Sequence, residues 1–177
     1  MIVQIRHALM EDIPALETLI RDSVAVLSLP YYTAKQIRSG LAHVFGPDTQ
    51  LILDGTYFVA EADGQIAGSG GWSKRQTLFG GDQAKSVADP LLDPAHDAAR
   101  IRAFYVHPNW SRKGVASKIL TACEAAARQA GFRRIELAAT LPGEPLYLAR
   151  GYRKCEPISI ETPDGEALAA FRMEKEI

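Results

Sequence analysis

The sequence predicts an α+β (mixed α/β) fold: a mixed, mostly antiparallel sheet with one parallel β-α-β unit and helices on both faces. Strand patterns flank turn signals at Asp63-Gly64 and at residues 163–165, and such tight turns join antiparallel neighbours. A strand, a helix and a second strand follow one another over residues 100–140. The two strands of that unit must run parallel, with a right-handed crossover between them.

The first half of the chain owes its predicted elements to the spacing of apolar residues. Alternation indicates strands, whereas apolar residues that recur every three or four positions indicate helices. Asp12 is suited to cap the first helix, and Pro30 ends it. The elements are a strand at 2–8, helices at 13–27 and 33–45, and a hairpin at 56–72.

The second half begins with a stretch rich in Gly, Asp, Pro and Ala, which predicts an irregular insertion at 74–99. Gly131 and Gly151 are placed to end the two helices that follow. The elements are a strand at 100–106, a helix at 115–130, a strand at 133–140, a short helix within 145–150, and strands at 158–162 and 167–177. We expect residues 1–177 to form a single domain, because this length suits one hydrophobic core.

Composition excludes several classes of function. The 177 residues carry a net charge of −1, so no overall field attracts nucleic acid or an anionic membrane. No apolar run approaches the length of a membrane span or of an export signal, so we expect a cytoplasmic protein. The two cysteines, Cys123 and Cys155, form no disulfide framework, and Cys123 falls on the apolar face of its helix, which predicts a buried free thiol.

The segment "HPNWSRKGVASK" at residues 107–118 joins a strand to a helix through a basic, glycine-bearing loop. The N-terminus of a helix presents unbonded N–H groups and a partial positive charge, so it can bind an anion, and Arg112 and Lys113 add charge beside it. The spacing excludes a mononucleotide P-loop, which needs two glycines, and a dinucleotide fingerprint, which needs three. An ordinary helix start with solvated basic side chains remains the alternative.

This segment resembles the acetyl-CoA-binding segment of the GNAT superfamily of N-acetyltransferases, in which a strand ends in Val-x-Pro and a loop with Arg/Gln-x-x-Gly-x-Gly/Ala opens a helix. The matching residues are Val106, Pro108, Gly114 and Ala116. Ser111 departs from the pattern, because the family usually has Arg or Gln there. A second segment, "GEPLYLARGY", is similar to a later family segment at Tyr147, Gly151 and Tyr152. The predicted order of elements also resembles the GNAT fold over nearly the whole chain.

The resemblance implies an N-acetyltransferase-like domain that uses acetyl-CoA as cosubstrate and no metal. It implies that the backbone of Phe104 and Val106 holds the pantetheine arm. It places the pyrophosphate on the loop and helix start formed by Arg112, Lys113, Gly114, Val115, Ala116 and Ser117. Tyr147 matches the residue that protonates the departing CoA thiolate in many relatives, and a phenol with a pKa near 10 stays protonated at neutral pH.

The acceptor side is marked less clearly. The resemblance places Tyr31 or Tyr32, together with Trp72, near the acceptor opening, with Tyr32 taken as the candidate, and Glu61 is a candidate base, as are His107 and His96. Acidic residues of the 74–99 insertion could favour a cationic amine; they are Asp82, Asp89, Asp93 and Asp97. The acceptor is expected to be the amine of a small molecule or of a protein, and relatives commonly form homodimers. A non-catalytic acyl-CoA-binding or sensor domain of the same fold is the alternative.

Overall fold

The computed structural model describes residues 2–85 and 89–177. The strands are β1 (Val3–His7), β2 (Tyr57–Ala62), β3 (Gln65–Ser73), β4 (Ala99–Val106), β5 (Arg134–Thr140), β6 (Arg153–Glu161) and β7 (Ala167–Glu176). The helices are α1 (Ile13–Leu27), α2 (Ala34–His43), α3 (Thr49–Leu53), α4 (Val115–Gln129) and α5 (Glu144–Ala149). Within the described residues, the strands form one sheet in the order β1-β2-β3-β4-β5-β7-β6.

The predicted mixed fold is confirmed. Among the described strands, β4 and β5 pair in parallel, and each other neighbouring pair is antiparallel. Both predicted hairpins are present, as β2–β3 and β6–β7. None of the helices in the described part of the chain is long and apolar enough to cross a membrane.

Two local predictions were incomplete. The sequence analysis missed α3, because five residues are too few to show a helical period, although Asp48 caps it by accepting a bond from Leu51 N at 3.4 Å. Asp12 does precede α1, but its side chain does not cap that helix. Its carboxylate instead accepts bonds from Arg6 at 2.8 and 2.9 Å and from the backbone N–H of Leu9 at 2.8 Å.

The alternation of β2 shows how the sheet is covered on both faces. Tyr57 and Val59 pack in one cluster with Leu16 of α1, whereas Phe58 and Ala60 belong to the cluster that includes residues of α4. Successive strand residues point to opposite faces, so α1 and α4 lie on opposite sides of the sheet. The thiol of Cys123 is free and fully buried in the α4 cluster, as predicted.

A single interruption of the sheet positions the functional site. β4 and β5 pair at Ala99 with Ile135 and at Arg100 with Glu136. Their pairing ends there, although both strands continue.

A bulge follows in β4. Tyr105 pairs with Ser69 and Arg102 pairs with Gly71, so β4 has one more residue than β3 between these two pairs. Ala103, inside the bulge, has a positive φ of 54°. Bulges bend a strand and increase its twist, so β4 turns away from β5 towards its C-terminal end.

Candidate active site

A cavity of about 480 Å³ occupies the opening between β4 and β5. One end of it is formed by the loop before α4, the start of α4, and α5. The other end is formed by α1, the residues that follow α2, and the loop at 78–80. The cavity therefore extends from the start of α4 to a region on the α1 side of the sheet, which we call the far pocket.

The backbone of β4 borders this cavity with groups that have no partner strand beside them. His107 N donates to Ala67 O at 2.9 Å, and Tyr105 lies opposite Ser69 in the same antiparallel ladder. Because alternate residues of such a ladder bond to the same neighbour, the backbone groups of Phe104 and Val106 face the side of β5. Both residues line the cavity.

The start of α4 forms the wall at the other side of the opening. Gly114 is the residue before the helix and has a φ of +81°, and Arg112 is also left-handed, with a φ of +62°. The first helical bond runs from Lys118 N to Gly114 O at 3.1 Å. The N–H groups of residues 115–117 therefore have no partner within the helix and are available to an anion.

Most residues predicted for the donor side are brought together here. The cavity wall includes Phe104, Val106, Arg112, Gly114, Val115, Ala116 and Ser117. Lys113 does not belong to the wall, although its Nζ lies 5.2 Å from the centre of the ring of Trp110, which does. Trp110 and Ser111 line the cavity as well.

Tyr147 lies on α5 and lines the cavity. Its ring contacts Phe104 and Tyr152 edge-on, with ring centres 6.3 and 5.6 Å apart. Burial raises the pKa of Tyr147 above its ordinary value, so the phenol is protonated at neutral pH. Among the described residues no polar group bonds its hydroxyl, whereas the neighbouring Tyr152 hydroxyl donates to Glu124 Oε1 at 3.1 Å.

The far pocket has a largely apolar wall that the sequence analysis did not identify. Its lining residues are Ser23, Val24, Leu27, Ser28, Val44, Phe45, Leu78, Phe79, Tyr105 and Ile160. They come from five separate parts of the chain, so no local motif could have revealed them. Phe79 is 40% exposed at this wall, and Ser23 and Ser28 are buried.

Arg102 of β4 is a buried charged residue that lines the same cavity. Its side chain is 1% exposed and lies 2.9 Å from Asp48 Oδ2, as an ion pair without hydrogen-bond alignment. It also donates to the carbonyl of Gly80, which fixes the loop that carries Phe79. Lys85 pairs with the other oxygen of the Asp48 carboxylate, and Asp89 Oδ2 lies 3.9 Å from Arg102 Nη1, so two cations face two carboxylates. An arginine within the apolar strand "RIRAFYV" was the available signal for this buried pair.

The three residues predicted for the acceptor side lie elsewhere. Among the described residues, the cavity wall includes none of Tyr32, Glu61 and Trp72. The Tyr32 hydroxyl donates to Ala169 O at 2.6 Å and accepts from Leu141 N at 2.9 Å. Glu61 pairs with Arg6, whose Nε is 2.8 Å away, and buried Trp72 packs against Phe132 with ring centres 5.9 Å apart.

The candidate bases are also outside the wall. His96 pairs with Asp93 at 2.8 Å in an exposed position, and that carboxylate raises the pKa of His96. His107 accepts a bond from Asn109 N at 3.2 Å. The aspartates of the insertion bond to nearby backbone instead: Asp82 to Thr49 N, Asp89 to Thr77 N, Asp93 to Ala95 N and Asp97 to Asp93 N.

Comparison with known proteins identifies a family and solved structures to which this chain is similar. The model of the acetyltransferase (GNAT) family matches residues 23–152, which is more than half of the chain. No curated protein matches significantly by sequence. Solved structures, in contrast, match over nearly their full length, and at sequence identities this low they establish the fold alone.

Three of these structures show the extent of the likeness. A GCN5-related N-acetyltransferase from Rhodopseudomonas palustris is 20% identical, with a TM-score of 0.74, over 98% of this chain and 95% of that one. PaiA N-acetyltransferase from Thermoplasma acidophilum, in complex with coenzyme A, is 17% identical, with a TM-score of 0.66 and 100% coverage of both chains. YncA of Salmonella typhimurium, with acetyl-CoA, is 17% identical, with a TM-score of 0.64 over 99% and 94%.

Proposed function

The chain belongs to the acetyltransferase (GNAT) family, and on that premise we propose that it transfers the acetyl group of acetyl-CoA to an amine. One observation carries the proposal. The divergence of β4 and β5 brings three features into a single cavity: a free strand edge, the start of α4 and the phenol of Tyr147. A long, flexible and polyanionic molecule needs an extended edge and a local anion site, and both are present.

The start of α4 fits the pyrophosphate of CoA. Its unbonded N–H groups and partial positive charge favour an anion by about 0.3–1 kcal/mol for each charge, and by more where the site is partly buried. A Cβ added at Gly114 would meet nothing within 4 Å, so the loop is open on that side. Arg112 in the wall and Lys113 over Trp110 add positive charge beside Ser111, which lacks the side-chain donor that the family's usual Arg or Gln has there.

The edge of β4 fits the pantetheine arm. The N–H and C=O groups of Phe104 and Val106 face the side where β5 diverges, and they are placed to bond amides as a neighbouring strand would. Binding in this manner extends the sheet and leads from the start of α4 towards Tyr147.

Tyr147 is proposed as the general acid. Acetyl-CoA, when bound, supplies an acetyl group activated as a thioester. The buried phenol keeps its proton at neutral pH and can give it to the sulfur as the carbon–sulfur bond breaks. The edge-on contact with Phe104 holds the Tyr147 ring against the same strand that binds the pantetheine arm.

Detection of free thiol tests the proposal. The full chain is mixed with acetyl-CoA and a panel of amines, and CoA release is compared with a blank that lacks protein. In a parallel arm, acetyl-CoA at 100 times its dissociation constant should stabilise the fold by about 2.7 kcal/mol. Stabilisation without thiol release from any acceptor indicates the non-catalytic, acyl-CoA-binding alternative, and the absence of both effects contradicts the proposal.

A further inference from the structure

We propose that the acceptor is a small, weakly basic amine with an apolar or aromatic body, such as an aromatic amine that is uncharged at neutral pH. This inference rests on the proposed function and names the substrate class of the same cavity. Two features of the far pocket support it, its apolar wall and the lack of a base or carboxylate in that wall among the described residues, and the covered edge of β7, outside that wall, argues against an extended peptide.

The wall offers an apolar body many contacts and offers a cation no partner. Val24, Val44, Phe45, Phe79 and Ile160 supply carbon surface. Within the described residues no carboxylate lines the cavity, and the residues outside them, Met1 and 86–88, have no acidic side chain. An ammonium group that left water here would lose its hydration without gaining a counter-charge.

The charged groups that do line the cavity are unfavourable to a cation. They are Arg102 and Arg112. Two carboxylates face Arg102: that of Asp48, which is fully buried and also pairs with Lys85, and that of Asp89, whose Oδ2 lies 3.9 Å away. Tyr105 and Tyr147 complete the titratable groups of the wall, and burial keeps both phenols protonated. The hydroxyls of Ser23 and Ser28 remain as neutral partners for an uncharged amino group.

The attack of the amine on acetyl-CoA also requires an uncharged nitrogen. The acceptor nitrogen needs a free electron pair to attack the thioester carbon. At about pH 7.4, about one lysine-like amine in 10³ is neutral. The cavity wall provides no imidazole or carboxylate among the described residues to deprotonate the remainder. A weakly basic amine is already neutral and needs no such group.

The edge of β7 does not accept an extended peptide. β7 continues beyond the last residue of β5, and an unpaired strand edge of that kind can bind a peptide as an added strand. Here, however, Ala169 O accepts from the Tyr32 hydroxyl at 2.6 Å, and Ala167 O accepts from Gln36 Nε2 at 2.7 Å. Two side chains from the region of α2 therefore occupy the carbonyls that a peptide would use.

The proposed step is balanced. A nitrogen–carbon bond forms between the amine and the acetyl group, and the carbon–sulfur bond of acetyl-CoA breaks. The sulfur takes the proton of Tyr147. The nitrogen then loses one proton to water, and a proton from solvent restores the phenol.

Two isomeric amines provide a matched test. Para-toluidine and benzylamine contain the same atoms and one aromatic ring, but at neutral pH the first is uncharged and the second is a cation. We expect para-toluidine to have a kcat/KM at least about tenfold higher at about pH 7.4. The value for benzylamine should rise about tenfold per pH unit below its own pKa, whereas that for para-toluidine should stay flat.

Substitution of Phe79 tests whether the wall of the far pocket causes the preference for para-toluidine over benzylamine. Phe79→Gln and Phe79→Glu remove the same ring at a position that is 40% exposed, so neither should unfold the protein. Both should lower kcat/KM for para-toluidine. Only Phe79→Glu adds a carboxylate, which should raise the ratio of benzylamine to para-toluidine turnover about two- to fivefold relative to Phe79→Gln.

The outcomes separate this inference from the proposed function. Spermidine and a short peptide with a free N-terminus complete the panel. Faster CoA release with benzylamine, spermidine or the peptide than with para-toluidine overturns the substrate class and leaves acetyl transfer intact. Release with none of the four, despite stabilisation by acetyl-CoA, overturns both.

Discussion

The ring of Phe104 lies directly over Gly70. A Cβ at Gly70 would come within 2.5 Å of two atoms of that ring, so the glycine makes room for it. The same ring meets Tyr147 edge-on, with ring centres 6.3 Å apart. Gly70 on β3 therefore determines where the residue that borders the β4 opening, and the proposed general acid beside it, can lie.

Gly70→Ala should disturb the active site through this contact. The added methyl group forces the Phe104 ring to shift, and overpacking of this kind costs about 1–3 kcal/mol. We expect a lower melting temperature and a lower kcat for CoA release. Combining it with Phe104→Leu removes the ring that clashes and should recover part of the lost stability. A double variant no more stable than Gly70→Ala alone would show that the steric contact is not the cause.

Tyr147→Phe should lower kcat by about 10²–10⁴-fold, because it removes the proton donor and little of the packing. The KM for acetyl-CoA should change little, since the anion site is formed by α4. Tyr152→Phe is the matched control: it removes the hydroxyl of the adjacent ring, which bonds Glu124, and should affect stability more than kcat. Equal turnover in Tyr147→Phe and in the unaltered protein would exclude the general-acid role.

Gly114→Ala should raise the KM for acetyl-CoA with little change in kcat. The φ of +81° strains any residue with a Cβ, which costs about 1–2 kcal/mol, and relief of that strain moves the helix start. Gly165→Ala is a close control, because Gly165 has a φ of +85°, equally open surroundings and a place in the distant β6–β7 turn. It should cost similar stability and leave KM unchanged. A similar KM for acetyl-CoA in both variants would contradict the proposed role of the loop in binding the anion.

Asp48→Asn should destabilise the fold by about 3–5 kcal/mol, because it removes the counter-charge that Arg102 and Lys85 share and leaves Arg102 only the more distant Asp89, at 3.9 Å. Glu156→Gln removes the partner of an exposed pair with Arg172 and should cost at most about 1 kcal/mol. Urea unfolding monitored by circular dichroism measures both. Similar losses in the two variants would mean that Arg102 is compensated by other groups.

Alkaline pH should unfold the protein cooperatively. Burial raises the pKa of Tyr57, Tyr105, Tyr147 and Tyr152 above the ordinary value of 10.0. Their folded pKa values exceed the unfolded ones, so this stability is complete below about pH 10 and is lost as pH rises towards the folded values. Each group contributes up to about 1.4 kcal/mol per pH unit in that range. Phenolate absorbance should therefore rise together with loss of circular dichroism. Titration of these tyrosines near pH 10 in a folded protein would contradict their burial.

Local signals were sufficient to predict much of the fold. The turns at Asp63-Gly64 and at 163–165 specify their hairpins through a few adjacent residues, and the long period of α4 is visible in the sequence. The residues proposed for the donor side could be named for the same reason, because most of them follow one another from Phe104 to Ser117. α3 was missed because five residues show no period.

The wall of the far pocket, where we propose that the acceptor binds, could not be predicted, because it is assembled from distant segments. Ser28, Phe79 and Ile160 share a wall although they are far apart in the sequence, and no spacing rule connects them. Tyr32 illustrates the same limit. The resemblance placed it near the acceptor, but a backbone carbonyl of β7 and an N–H after β5 engage its hydroxyl. Only the packing of α2 on β7 determines that contact.

Acetyl transfer itself is tested most directly by following labelled acetyl groups. The full chain is incubated with acetyl-CoA labelled in the acetyl group and with para-toluidine, and the label in the amide product is measured alongside free thiol. We predict one acetylated amine for each thiol released, and a rate lower by at least about 10²-fold in Tyr147→Phe. Binding of acetyl-CoA with no label transferred to para-toluidine or to any other amine of the panel would contradict the account.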